Sequence, residues 1–197
     1  MRRAAGWLVA LVAGSSFEAA AREPAPPLPL EHRHPSGAFT FRTPEGWEVT
    51  RGKRPGSLEV RAAGAAAGAR IVFLYEARDL GYDSLHVSCM EARLAGPMET
   101  ERVTYEYDFL SADLGRRRLL DSALHVRYDA EVEGARDWRQ RNVTLAGPQE
   151  ALCVIAHAPL RLWKKSAQAR AALDAVVQSL AFPGDATASP APSPPPP

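Results

Sequence analysis

The sequence predicts an α+β protein, an antiparallel sheet of about six to seven strands covered by a long C-terminal helix. Three stretches carry that prediction. Leu120, Leu124, Val126, Tyr128, Ala130 and Val132 alternate with Asp121, His125, Arg127, Asp129 and Glu131, the period of a strand with one buried and one wet face. The run Leu152–Ala158 is apolar at successive positions, which fits a strand buried on both faces. In Leu160–Phe182, the residues Leu162, Ser166, Ala169, Leu173, Val176 and Leu180 recur at spacings of four and three, flanked by Ala172 and Val177. That spacing gives a helix one continuous face to lay on a sheet.

The remaining elements follow in chain order. Phe39–Thr43 alternates and reads as a strand, and Pro44-Glu45-Gly46 turns the chain into a second short strand, Trp47–Thr50. A turn at Gly52–Gly56 leads to Leu58–Ala62, and the Gly/Ala stretch 63–68 leads to a central strand, Ile71–Tyr75. Asp83 is placed to cap a helix running to about Leu94, ended by Gly96-Pro97. His86-Val87-Ser88 within it also suits extended chain. Val103–Leu114 reads as one strand, with Tyr105, Tyr107 and Phe109 at period two. Glu133-Gly134 closes the hairpin from Leu120–Val132 to a strand at Trp138–Leu145.

The two ends of the chain read differently. Met1-Arg2-Arg3, an uncharged apolar run over Ala4–Ala13 and the small residues Ala19-Ala20-Ala21 form the pattern of a cleaved signal peptide, residues 1–21. The apolar run is too short to span a hydrocarbon core needing about 20 residues. The expected location is therefore the periplasm or the exterior, after cleavage near Ala21. Residues 22–36 form a proline-rich linker expected to stay irregular, residues 37–184 the folded domain, and residues 185–197 a disordered Ala/Ser/Pro tail.

Charge and cysteine content narrow the function. Beyond residue 21 the chain holds 22 basic and 22 acidic residues, without the positive footprint of a nucleic-acid binder. Arg116-Arg117-Arg118 reads as a solvated turn. In an oxidising compartment Cys89 and Cys153 can form one disulfide; alternatively they are two buried thiols.

Catalytic and cofactor motifs are missing. Neither a phosphate-binding Gly-rich loop nor a Gly-x-Ser-x-Gly elbow occurs. Asp121, Ser122 and His125 tempt as a nucleophilic relay, but on a strand Ser122 points away from the other two. His157 reads as a core histidine, and His32-Arg33-His34 as part of the solvated linker. The expectation is a protein with no catalytic residues, no metal and no cofactor.

The phrase Phe39-Thr40-Phe41-Arg42-Thr43-Pro44-Glu45-Gly46-Trp47, together with strand 152–158 and the closing Trp163, Leu173, Val177, Ser179, Leu180 and Phe182, resembles the PsbP-like/DcrB-like family over about residues 37–183. The resemblance implies an α/β/α sandwich, with the long C-terminal helix on one face of the sheet and a shorter helix on the other. Members are mostly non-enzymatic: exported or thylakoid-lumen accessory subunits, and cytosolic chaperones of type VI secretion effectors. The signal peptide departs from the chaperone branch. The expectation is an exported, non-catalytic binding or accessory module of the bacterial envelope, whose partner is another envelope protein. The alternatives are a periplasmic chaperone or carrier for an apolar segment or small ligand, and a hydrolase without a visible motif.

Overall fold

The computed structural model describes residues 24–77, 101–105, 110–113, 118–147 and 150–183. The main sheet is antiparallel. Strands β3 (Glu48–Arg51), β4 (Ser57–Arg61), β5 (Arg70–Glu76), β10 (Glu150–Pro159), β9 (Ala135–Gly147), β8 (Arg118–Val132) and β6 (Glu101–Tyr105) follow one another in that spatial order, and β7 (Leu110–Asp113) also pairs with β8. Two short helices end the fold, α1 (Leu160–Lys165) and α2 (Ala167–Gln178).

The strand with no polar alternation is the one at the centre. β10 pairs antiparallel with both β5 and β9, and every residue from Ala151 to Ala158 is buried. Register sorts its side chains onto two faces. Leu152, Val154, Ala156 and Ala158 share a face with Phe73, Ile71, Val143 and Leu145, and α2 covers that face with Ala169, Leu173, Val176 and Val177. Cys153, Ile155 and His157 point to the far face with Val72, Leu74, Asn142 and Gln140. The helix that the sequence places at 83–94, expected on this far face, lies outside the described residues, as do the segments 1–21 and 185–197.

The closing helix is two helices. The apolar spacing runs through Ser166 without a break, yet Ser166 has extended backbone (φ −116°, ψ 100°) and separates α1 from α2. Its Oγ accepts a hydrogen bond from the Ala169 amide at 3.0 Å, satisfying one of the donors that the start of α2 leaves open. Ser166 therefore caps the helix instead of joining its apolar stripe.

β8 keeps its alternation only in part. Leu124, Val126 and Tyr128 are buried on the far face around Trp138. The face expected to be wet is exposed at Arg127 but buried at Asp121 and Ala123, because it is the face that α2 roofs. Glu133 (φ 50°) and Gly134 (φ 81°) make the two-residue hairpin to β9, the left-handed pair that such a turn requires. Of the expected strand 103–114, residues 103–105 lie in β6 and 110–113 in β7, and the rest lie outside the described residues. Tyr105 faces Leu124 and Leu110 faces Asp121, so five steps along one edge match three along β8.

Part of the proline-rich linker is ordered. Leu30–Arg33 forms β1, paired antiparallel with β2 (Thr40–Thr43) in a separate two-stranded sheet. Two histidines hold it. His32 stacks on Phe41 with ring centroids 5.2 Å apart, and its Nε2 lies 2.9 Å from Thr43 Oγ1. His34 is buried and stacks on Phe39 at 4.8 Å. Its Nδ1 accepts from the Ser36 amide at 3.2 Å, so Nε2 carries the proton and donates to the Gly56 carbonyl at 3.1 Å. β2 in turn bridges to the chain after α2, where Thr40 and Ala181 exchange backbone hydrogen bonds of 2.8 and 2.9 Å.

This clasp is pH-sensitive by construction. Burial lowers the pKa of both His32 and His34 below the ordinary 6.5, so the unfolded chain takes up protons first as pH falls. The clasp's full contribution to stability is present above 6.5 and declines below it. Thermal unfolding followed from about pH 7 to about pH 5 is expected to show a falling Tm, with a shallower fall in His34→Gln, which keeps polar atoms but does not titrate. An unchanged pH slope in that variant would remove His34 from the account.

Candidate functional site

β9 carries an unusual charged stripe. Asp137, Arg139 and Arg141 alternate with Trp138, Gln140 and Asn142, so all three charged groups fall on the helix face, beside Asp121, His125 and Arg127 of β8. The stripe runs from the hairpin toward the apolar core at Val143 and Leu145. Charge thus enters beneath the helical layer, where it must be paired.

Arg141 does most of that pairing. Its Nε lies 3.0 and 3.2 Å from the two Asp121 oxygens, and its Nη2 lies 2.6 Å from Asp121 Oδ2. Its Nη1 donates to Asp174 Oδ1 on α2 at 2.7 Å. Asp121 is buried, while Asp174 is half open to solvent. One guanidinium therefore ties β8, β9 and α2 together with fork geometry that a lysine would not reproduce. Nearer the hairpin, His125 Nε2 meets Asp137 Oδ1 at 3.0 Å, with Arg127 Nη1 at 3.8 Å from the same oxygen.

Arg139 sits between these pairs. It is buried, and its Cζ lies 5.7 Å from the ring centre of Trp163 on α1, within cation–π range. Burial, reinforced by the positive charge of Arg141 and opposed by Asp174, pulls its pKa down to about 10. It stays protonated at neutral pH. Arg170 of α2 donates from Nη1 to the Trp163 carbonyl, placing a cation against the C-terminal carbonyls of α1, where the helix dipole favours one. Arg139 thus meets the Trp163 ring and Arg170 its backbone carbonyl.

The residues singled out by sequence divide between faces. Asp121 and His125 share the helix face but do not pair with each other; each turns to a partner on β9. Ser122 is fully buried on the far face, so the three form no relay. His157 is buried there too, in register with Gln140. Cys153 is buried beside Ile155; Cys89, expected either to form a disulfide with it or to stand as a second buried thiol, lies outside the described residues, as do Arg116 and Arg117. His32 and His34 are structural members of the clasp. Among the described residues, no group of three His, Cys, Asp or Glu side chains is placed to hold a metal ion, and no helix is long and apolar enough to cross a membrane.

The far face holds a second polar group that sequence reading missed. Gln140, Asn142 and Thr144 follow one another along β9, flanked by Ser122 and His157, all buried. Gln140 Nε2 donates to Asn142 Oδ1 at 2.9 Å, while Gln140 Oε1 and Thr144 Oγ1 make no hydrogen bond among the described residues. The signal was visible as polar residues at period two in a strand flanked by apolar ones.

If the Arg141 fork joins strand to helix, Asp121→Asn leaves its partly buried guanidinium half-paired. Roughly 3 kcal/mol of stability is expected to be lost, a drop in Tm of about 6–12 °C for a domain of this size. A Tm within about 2 °C of the parent, by calorimetry, would show that the fork contributes little.

No protein-family model matches the chain, and no curated protein matches it. Solved structures do. The chain is similar to the cyanobacterial PsbP (CyanoP) of Synechocystis, at 10% identity and TM-score 0.55, covering 78% of this chain and 91% of that one. It is also similar to the Ran-binding protein Mog1p of Saccharomyces cerevisiae, at 9% identity and TM-score 0.48, covering 78% and 94%.

Proposed function

We propose that this chain, a protein of PsbP-like fold, is an exported, non-catalytic accessory module of the bacterial envelope that works by docking on another envelope protein. The observation that carries the reading is how the charged stripe of the helix face is used. Arg141 is committed to Asp121 and Asp174, and His125 to Asp137. These groups hold the architecture rather than converge on a reacting atom, as acid–base or nucleophilic chemistry requires. The same stripe seats α1 on the sheet through Trp163 over Arg139, leaving Arg161, Lys164 and Lys165 of that helix exposed. The export pattern at residues 1–21 supports the envelope location.

The far face favours a second reading, a carrier for a small ligand or an apolar segment. Gln140 Oε1 and Thr144 Oγ1 are buried without partners among the described residues, and each such group costs about 1–3 kcal/mol unless something satisfies it.

One measurement separates the two. The full chain is recovered from the envelope fraction of its own cells and analysed by native mass spectrometry. Docking predicts the mass of a second polypeptide in defined ratio; the carrier reading predicts a small-molecule increment. A bare chain, or one found only in the cytosol with residues 1–21 intact, sinks both.

A further inference from the structure

We infer that α1 is the docking surface, and that it takes an acidic segment of the partner polypeptide. The inference rests on the docking role proposed above and specifies its chemistry.

The charge pattern is local. From Ala151 to Leu173 the chain contains no aspartate or glutamate, but holds Arg161, Lys164, Lys165 and Arg170. In a chain of net charge +1, that concentrates positive charge on one short element. Arg161, Lys164 and Lys165 are exposed, and at spacings of three and four they share one side of α1. Trp163 falls on the opposite side of α1, half-buried against the core and over Arg139.

The break before α2 is the second observation. The apolar spacing of Leu162, Ala169, Leu173 and Val176 would let one straight helix cover the sheet. The chain instead stops at Ser166, caps α2 there, and ties the end of α1 to Arg170 through the Trp163 and Lys164 carbonyls. A departure from the local pattern, held by dedicated hydrogen bonds, marks a segment shaped for something besides covering a core. The result is a cationic edge on a helix seated on the core through Leu162 and Trp163, which lowers the ordering cost of binding.

Carboxylates on a polypeptide fit this edge better than a lipid surface does. Leu162 and Trp163 pack against the core, so α1 has no apolar face free to enter a bilayer, as a membrane-surface helix requires. Recognition here is by charge, steered at long range and weakened by salt.

The test uses the full chain purified from its own envelope fraction, with fluorescein-labelled poly-L-glutamate as probe, phosphatidylglycerol vesicles as a second arm, and anisotropy or sedimentation as readout. Two triple variants are compared: Arg161→Glu/Lys164→Glu/Lys165→Glu on α1, and Arg51→Glu/Lys53→Glu/Arg54→Glu on the β3–β4 turn. The second makes the same change in net charge on exposed residues elsewhere. Both are checked for parental Tm, and should α1 reversal unfold the chain, Lys164→Gln/Lys165→Gln replaces it. The proposal expects salt-sensitive binding of poly-L-glutamate, weakened about tenfold or more by the α1 variant and by less than about twofold by the turn variant. Equal weakening by both variants, no binding of poly-L-glutamate, or binding to vesicles alone overturns it. A natural partner retained by the α1 variant overturns this surface while leaving the docking role intact, whereas failure to recover any partner removes the docking role itself.

Discussion

A strand buried on both faces must be covered twice, and β10 imposes that condition on everything around it. Its neighbours β5 and β9 flank it on either side, so from Ala151 to His157 both edges of the strand are paired, as burial demands. On the helix face its inward residues include Ala156 and Ala158, and α2 meets the sheet with Ala169 and Ala172. Small residues on both partners let helix and sheet approach closely, with Leu173, Val176 and the Phe73–Phe41 stack filling the remaining space. The layer order of the domain is thus a consequence of one apolar run. Function has to be placed where the covering ends, at the hairpin, at α1 and along the clasp of the two chain ends.

The helical layer covers more of the sheet than its apolar residues alone would warrant. Asp121 is buried beneath it, and the cost of that burial is offset by the Arg141 fork and its second contact to Asp174. The network fixes where α2 sits, and α2 in turn holds α1 through Arg170. Mechanical continuity from β8 to Trp163 therefore runs through two arginines, and the exposed edge of α1 inherits its rigidity from a buried ion pair.

How much of this was legible in the sequence depends on the range of the interaction. β10 and the hairpin at Glu133-Gly134 were readable because apolar periodicity and turn chemistry are local. The PsbP-like fold followed from the frame of Phe39–Trp47 and the closing helix. The break at Ser166 was hidden, because the spacing of the apolar residues passes through it and the deciding event is one hydroxyl accepting one amide. β1 was hidden because Leu30–Arg33 has no apolar alternation of its own; its order is borrowed from Phe39 and Phe41 through the two imidazoles. Of the candidate site, Asp121 and His125 were noticed, but their partners were not. Asp137, Arg139 and Arg141 show their shared face at period two, whereas the choice of Asp121 and Asp174 as partners depends on register and on the position of a helix distant in sequence.

The claim on which the rest depends is that β10 forms the sealed centre of a cooperative sheet. Amide hydrogen exchange tests it directly. The account predicts that the amides of Leu152–His157 are the slowest in the chain, exchanging only through global unfolding, while those of the hairpin at 130–136 exchange by local opening. Exchange of the β10 amides as fast as that of the hairpin would contradict it.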